Sequence, residues 1–457
     1  MKDFFIKIPK VIYVIFFLSI FVRLILLVAL LAHGGQSSLL LEDSIDYKYL
    51  GDSLLAHHEY AINGVTEAFR GPGYPIFFLL LGWFSLPFWF GSVLQIIVAS
   101  FVPVFIYFLA KKFIYLSDRF SFFAACLVIF EPIQIFYSVV LMPDLFFSIF
   151  FMLGLFFLMK WLINQNLKYA IWAGVFIGVS NYFRPAGLYF LIAVLLSFPL
   201  FMFFKKIPIR KSWHLALCVV GVVLVMMPWY VRNYVAFNEV GFVSAGAYNL
   251  YVYSAASTMS LATGDTLQHS MEFLASELKK NAPDHKNPSS FKNEEYLNHK
   301  SKEIIFAHPT AYLKSYFLGL NTFLFSGNYH YLLSKYNVID VPKNVSFSLY
   351  FAQNGFLAGI SEIMSVIINP YFFLALLGKI FWVIVVLGSI VGAWFYRKNI
   401  TAFVFFLALL YFCVTILSTT LGVEARHRYM LNPLIFLFFT AMISHIYDRF
   451  VRCRTRI

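Results

Sequence analysis

Apolar runs long enough to cross a bilayer recur along the chain from residue 11 to residue 447, most of them separated by short basic patches. A helix needs about 20 apolar residues to traverse a ~30 Å hydrocarbon layer. Inside that layer only helices and closed barrels satisfy their own backbone polar groups. With 61% hydrophobic and 12% charged residues in 457, an ordinary soluble globule is excluded. The chain reads as an all-α polytopic membrane protein.

The formal charge of +13 would suit a nucleic-acid partner if it were spread over one surface, but it is not. Eighteen Lys and Arg fall in six patches, around Lys7, Lys111, Lys160, Lys205, Lys398 and Arg452, against only Asp3, Asp118 and Asp448. Cytoplasmic loops retain Lys and Arg, so these patches mark the cytoplasmic side and no nucleic acid is needed to explain them. Cys126, Cys218 and Cys413 lie in apolar runs and Cys453 in the basic tail, so no disulfide is expected. The first apolar run follows Lys residues but lacks a small-residue cleavage site, and reads as an uncleaved span.

Alternating sides between the patches gives about ten crossings: 11–33, 92–110, 120–138, 143–159, 169–183, 187–204, 213–230, 379–396, 401–420 and 429–447. Both termini are then cytoplasmic. The stretches 75–90 and 310–326 have no basic patch beside them and read as interfacial or re-entrant helices. Three regions follow: 1–230 as a transmembrane module with a first external loop at 34–74, 231–378 as a second external region, and 379–457 as the last spans and basic tail. Within the second region, Leu267, Met271, Leu274 and Leu278 recur at helical spacing in the polar stretch 264–305, predicting a small helical cap.

With sidedness assigned, Asp43, Arg70, Glu131, Asp144, Arg184, Arg232, Glu424, Arg426 and Arg428 all fall at or near external ends of spans. Carboxylates and arginines converging on one membrane face suit chemistry on a lipid-linked phosphate, which arginine binds in bidentate fashion. Each residue also has a plainer role open to it. Asp43 and Asp144 stand where a helix N-cap is expected, Asp43 with Asp46 three residues on. Glu131 reads as a buried polar group, Arg23 as a mid-span residue facing the bundle interior, and single arginines as interfacial side chains. Arg70 sits in FRGPGYPIF, where Gly71 and Gly73 permit tight backbone geometry and Pro72 and Pro75 fix it. His57 and His58 diverge on a helix, and His427 lies between two arginines, so no metal site or other cofactor is assigned.

The stretches EDSIDYKYLGDSLL, FRGPGYPIF, EPIQIFYSVVLMPD, NYFRPAGL, PWYVRNYVAF and ARHRYMLNPLIF resemble, in order and spacing, bacterial GT-C glycosyltransferases related to protein O-mannosyltransferases and to the aminoarabinose transferase of lipid A. The resemblance implies a GT-C-like fold and an inverting transferase. Its donor would be a polyprenyl-phosphate sugar, and its acceptor a lipid A, glycan or protein. Such a protein would lie in the bacterial cytoplasmic membrane among membrane lipids, its active site facing the periplasm. Asp43 then matches the catalytic base and Asp144 the second acidic position, with Arg70, Arg184, Arg232, Arg426 and Arg428 as donor-phosphate ligands. Tyr47, Tyr74, Tyr137, Asn233, Glu424 and Tyr429 are supporting groups. The first loop reads Asp-Ser where eukaryotic protein mannosyltransferases carry Asp-Glu, which argues against a protein acceptor. Two other classes fit the spans and outer arginines: a transporter of lipid-linked sugars and a polysaccharide polymerase or ligase. Transporters place binding groups at the midplane of repeated halves, and neither feature is evident in this sequence.

Overall fold

A computed structural model describes residues 9–195, 213–284, 287–340, 369–402 and 424–454, together with positions 404 and 408. Helix dominates, as the apolar runs require. Six helical stretches among the described residues are long and apolar enough to cross a membrane. They are α1 (Lys10–Gly34), α4 with α5 (Phe88–Ala99 and Phe101–Leu109), α8 (Asp144–Asn164), α10 (Trp213–Phe237), α17 (Pro370–Phe395) and α18 (Asn432–Arg454).

Several boundaries differ from those expected, and most trace to proline. The run 120–138 is two helices, α6 (Asp118–Phe130) and α7 (Pro132–Val139), bent by 56°. Pro132 has no N–H for a helical bond, and Glu131 caps the new helix by accepting from the Gln134 backbone N–H at 2.7 Å. The span expected at 213–230 instead continues through Pro228 to Phe237, so Arg232 and Asn233 are helical. The span expected at 379–396 starts at Pro370, while the last one starts only at Asn432, after Arg428 and Tyr429. The run 169–183 is α9 (Leu167–Phe183), whose Ala173, Gly174 and Ile177 are buried against its neighbours. The crossing at 187–204 is described as helix only to residue 195. That at 401–420 lies largely outside the described residues. The stretch 75–90 contains α3 (Gly73–Trp83), which at 11 residues is too short to cross.

Helix polarity sorts the charges. Asp144 opens α8, and Lys160 lies sixteen residues on, about 24 Å at 1.5 Å per residue. Helix α9 returns antiparallel, with Lys168 near its start and Arg184 just past its end, where Arg184 meets Asp144 at 2.9 Å. Arg23 is buried in α1. Its Nε donates to Ser138 Oγ at 2.9 Å and its Nη1 to Ser19 Oγ at 2.6 Å, so it ties α1 to α7 through neutral partners.

Outside these spans, α2 (Glu42–His57) is followed by a two-residue hairpin, β1 (Ala61–Ile62) with β2 (Val65–Thr66). Asn63 and Gly64 both take positive φ at its turn, the dihedrals that an Asn-Gly hairpin supplies. Downstream come α11 (Ala245–Asn249), a π-helical turn (Leu250–Ala255) and α12 (Ala256–Thr263). The expected cap follows as α13 (Leu267–Asn281) and α14 (Glu294–Ala307). Leu274 and Leu278 are buried there with Tyr251 and Leu297, and Leu267 and Met271 flank them. Helix α15 (Pro309–Phe325) and α16 (Tyr329–Lys335) lead back to the bundle. The segment between α1 and α3 and the segment after α10 are bonded to one another: the Ser244 N–H donates to Ala68 O at 3.1 Å, and Lys335 pairs with Glu42 at 2.8 Å.

Candidate active site

Helix α2 does not begin with Asp43 as its cap. Leu41 holds the N-cap position, with its N–H donating to Ser44 Oγ at 2.9 Å. Asp43 sits in the first turn, its carboxylate free to turn outward. Arg70 Nη2 donates to Asp43 Oδ1 at 2.8 Å, and Arg426 Nη2 to Asp43 Oδ2 at 2.7 Å. Asp46, expected to complete a capping box, is instead a second acceptor for Arg70 at 3.0 Å. Burial pushes the Asp43 carboxyl upward, but Arg426 and Arg70 outweigh it, and the group is held well below the usual carboxylate range.

Arg70 is fixed by its surroundings. Its guanidinium lies 5.2 Å from the Tyr47 ring and 4.9 Å from the Phe69 ring. Its carbonyl accepts from Tyr60 Oη at 2.8 Å, which anchors the turn to the hairpin. Gly71 is needed there for close approach: a Cβ would stand 2.6 Å from the Tyr182 carbonyl oxygen at the end of α9. Among the described glycines, only Gly35, Gly64 and Gly264 take positive φ, so Gly71 and Gly73 do not serve by left-handed geometry.

Asp144 is not a side-chain cap either. It is 1% exposed, and Arg184 Nη2 lies 2.9 and 3.0 Å from its two oxygens. On the other side of the site, a 3₁₀ turn (Ala425–Arg428) carries Arg426 and His427. The Glu424 N–H donates to His427 Nδ1 at 3.2 Å. Burial and the neighbouring Arg184 and Arg426 lower the His427 pKa to about 3, so this imidazole is neutral.

These groups border one cavity of about 480 Å³, lined by Asp43, Tyr47, Arg70, Arg184, Glu424, Arg426 and His427 among others. That volume falls in the range of ordinary ligand sites, roughly 300–1,000 Å³. Arg70, Arg184 and Arg426 each keep a buried Nε–H without a hydrogen-bond partner. Buried donors left unpaired by the protein are groups a ligand oxygen can satisfy.

Other expected site residues lie elsewhere. Arg428 is fully buried, donating to Phe323 O, to Ser326 O at 2.7 Å and to Asn432 Oδ1 at 3.0 Å, with its guanidinium 3.7 Å from the Trp382 ring. It clamps the 425–428 turn to α15, α17 and α18 and does not reach the cavity. Arg232 donates to Glu67 O at 2.9 Å and Tyr60 O at 3.2 Å and lies over the Tyr60 and Trp229 rings, fastening the hairpin to α10. Asn233 donates to Gly241 O and Phe242 O. Tyr74 donates to Gln95 Oε1 at 2.8 Å, and Tyr137 packs edge-on to Tyr429. All four of these side chains are buried supports. The other lining residues Phe69, Phe183, Tyr248, Asn249 and Tyr253 were not anticipated. In a chain with 56 Phe and 28 Tyr, aromatics carry no positional signal, although the Asn63-Gly64 turn could have been read as a hairpin.

Residues 76–231 match the family model of the dolichyl-phosphate-mannose-protein mannosyltransferases. This segment includes Asp144 and Arg184 but neither Asp43 nor Arg426. Among solved structures, the chain is similar to the Archaeoglobus fulgidus oligosaccharyltransferase in its apo form, at 16% identity and a TM-score of 0.49. The similarity covers 98% of this chain and 51% of that one. It is also similar to ArnT from Cupriavidus metallidurans bound to undecaprenyl phosphate, at 12% identity and a TM-score of 0.38, covering 87% of this chain and 72% of that one. The chain thus spans about half the length of the archaeal protein. No curated protein sequence matches it. Fold and site together define a polytopic, helical membrane protein with an arginine-and-carboxylate cavity beyond its spans.

Proposed function

We propose that the chain is an inverting glycosyltransferase that moves a sugar from a polyprenyl-phosphate donor to an acceptor on the external face of a bacterial cytoplasmic membrane. The observation that carries this reading is the arginine set. Arg70, Arg184 and Arg426 line a cavity that also holds the Asp43 carboxylate. Preorganised donors of this kind stabilise charge that develops on a departing phosphate. The family model's dolichyl-phosphate-linked mannose supports a polyprenyl-phosphate donor independently.

The chemistry needs few groups. An acceptor hydroxyl or amine attacks the anomeric carbon while the bond from that carbon to the phosphate oxygen breaks, its electron pair leaving with the phosphate. The leaving group is already acidic and requires no proton. Asp43 takes the acceptor's proton. A donor phosphate competes for the guanidinium N–H groups that hold Asp43 at 2.7 and 2.8 Å, so its arrival loosens the carboxylate and raises its basicity. Asp144 acts through Arg184, which it holds at the cavity wall. Glu424 and Tyr47 border the same space.

The test is incubation of purified protein with a panel of radiolabelled undecaprenyl-phosphate sugars and candidate acceptors. Donor-dependent transfer supports the reading. Consumption of no donor, together with movement of the labelled sugar across liposomes, replaces it with a transporter.

A further inference from the structure

The cavity lining has two chemistries. The arginines and Asp43 are charged, while Phe69, Tyr248, Asn249 and Tyr253 line the same cavity without charge, Phe69 lying beside the Arg70 guanidinium at 4.9 Å. Tyr248 packs edge-on against Phe69 at 5.5 Å, and all three cap-side residues are only partly buried. Among the described residues, neither the Asn249 amide nor the Tyr253 hydroxyl has a hydrogen-bond partner.

The backbone accounts for the grouping. Asn249 and Tyr253 are four residues apart, a spacing that puts them on one helical face, with Tyr248 one residue before. The π-helical turn at Leu250–Ala255 carries Tyr253, and Tyr248 and Asn249 stand immediately before it at the end of α11. Such turns are rare and concentrate at functional sites. This one falls where the chain leaves α11 for the cap, and its Tyr251 and Ala255 are anchored in the cap core.

We infer that the lining formed by Tyr248, Asn249 and Tyr253 binds the sugar ring of the lipid-linked donor and selects for an uncharged glycosyl group. This rests on the transferase reading above. The sugar is bonded directly to the phosphate, so with the phosphate on the arginines the ring must occupy the adjoining part of the cavity. Aromatic rings cover the apolar C–H face of a pyranose, while an amide and a phenol hydroxyl bond its equatorial hydroxyls. No ionisable acid or base among these residues would pair with an amino sugar or a uronic acid.

The experiment compares binding of undecaprenyl phosphate with binding of undecaprenyl-phosphate mannose, glucose, glucuronic acid and aminoarabinose. The proteins are the wild type, Tyr248→Ala, Asn249→Ala, Tyr253→Ala and the milder Tyr253→Phe. The expected result is that a neutral glycosyl donor binds the wild type more tightly than undecaprenyl phosphate or either charged-sugar donor does. The alanine variants then lose about tenfold for that donor while binding undecaprenyl phosphate as the wild type does. Tyr253→Phe loses less than Tyr253→Ala. Equal weakening for undecaprenyl phosphate and the glycosyl donors, or tighter binding of a charged sugar, overturns the inference and leaves the transferase reading standing. Failure of undecaprenyl phosphate to bind the wild type overturns both.

Discussion

Asp43 and Arg426 lie 383 residues apart in sequence, and their side chains meet at 2.7 Å. The contact joins the first turn after the first span to the turn before the last helix, so the site exists only when both ends of the chain are folded against each other. Arg70 closes the other side of the same carboxylate at 2.8 Å. One acid thus holds two arginines at the cavity.

The two arginines of the 425–428 turn should separate in mutagenesis. Arg426→Ala is expected to weaken undecaprenyl phosphate binding by about tenfold or more, as loss of a charge-assisted contact in a dry site does, with a smaller fall in thermal stability than Arg428→Ala. Arg428→Ala leaves the Phe323 and Ser326 carbonyls and the Asn432 side chain without their buried donor. Each such loss costs about 1–3 kcal/mol, so this variant should show a clear fall in melting temperature in detergent. Equal melting temperatures for the two variants would contradict the division of roles.

Asp144 and Arg184 form a pair buried on one side, with side-chain exposures of 1% and 16%. Removing the arginine strands a buried charge, a change that typically costs about 3–5 kcal/mol. Arg184→Ala should therefore be markedly less stable than the double variant Asp144→Asn/Arg184→Ala, in which the charge is also gone. Unfolding measurements on the two proteins decide it.

A pH dependence follows from Asp43 and His427. Asp43 has a folded pKa below its ordinary 3.8, so its ionised form contributes stability that is complete above that value and is lost as pH falls through it. His427, lowered to about 3, likewise does not change charge near neutrality. Turnover should accordingly show no limb from either group between about pH 5 and pH 8, the range in which an unperturbed histidine titrates. The stability gap between wild type and Asp43→Asn should narrow only below the Asp43 reference value. An acidic limb near pH 6 that disappears in His427→Gln would contradict this assignment.

Gly71 sets the approach of the Arg70 turn to the end of α9, where an added Cβ would lie 2.6 Å from the Tyr182 carbonyl oxygen. That oxygen belongs to backbone and cannot swing aside. Gly71→Ala should displace Arg70 and lower turnover by at least about tenfold, since misplacements of about 1 Å can cost 10²-fold. An alanine variant with unchanged kinetics would show the turn to be compliant.

The sequence makes the helical class legible because apolar runs of bilayer length permit little else. It also suggests that Asp43, Arg70, Arg184 and Arg426 gather at one end of the bundle, where the structure brings them to one cavity. What sequence could not separate is an arginine that faces a cavity from one that bonds carbonyls behind it. Arg426 and Arg428 are two positions apart, and only the direction of the 3₁₀ turn distinguishes them. The Asp43 cap failed for a related reason: Ser44 reaches the Leu41 N–H, so Leu41 starts the helix and the acid is left to the arginines. The Tyr248, Asn249 and Tyr253 lining was invisible because aromatics carry no positional signal in a chain with 56 Phe and 28 Tyr.

The most direct check is turnover of a lipid-linked sugar donor by Asp43→Asn beside the wild type, with undecaprenyl phosphate affinity measured on both. A positioned base is worth about 10²–10⁴-fold in rate, so the variant should lose that much turnover while remaining folded and binding undecaprenyl phosphate at least as well as the wild type. Turnover within about twofold of wild type would mean that Asp43 takes no proton and that the site works by another route.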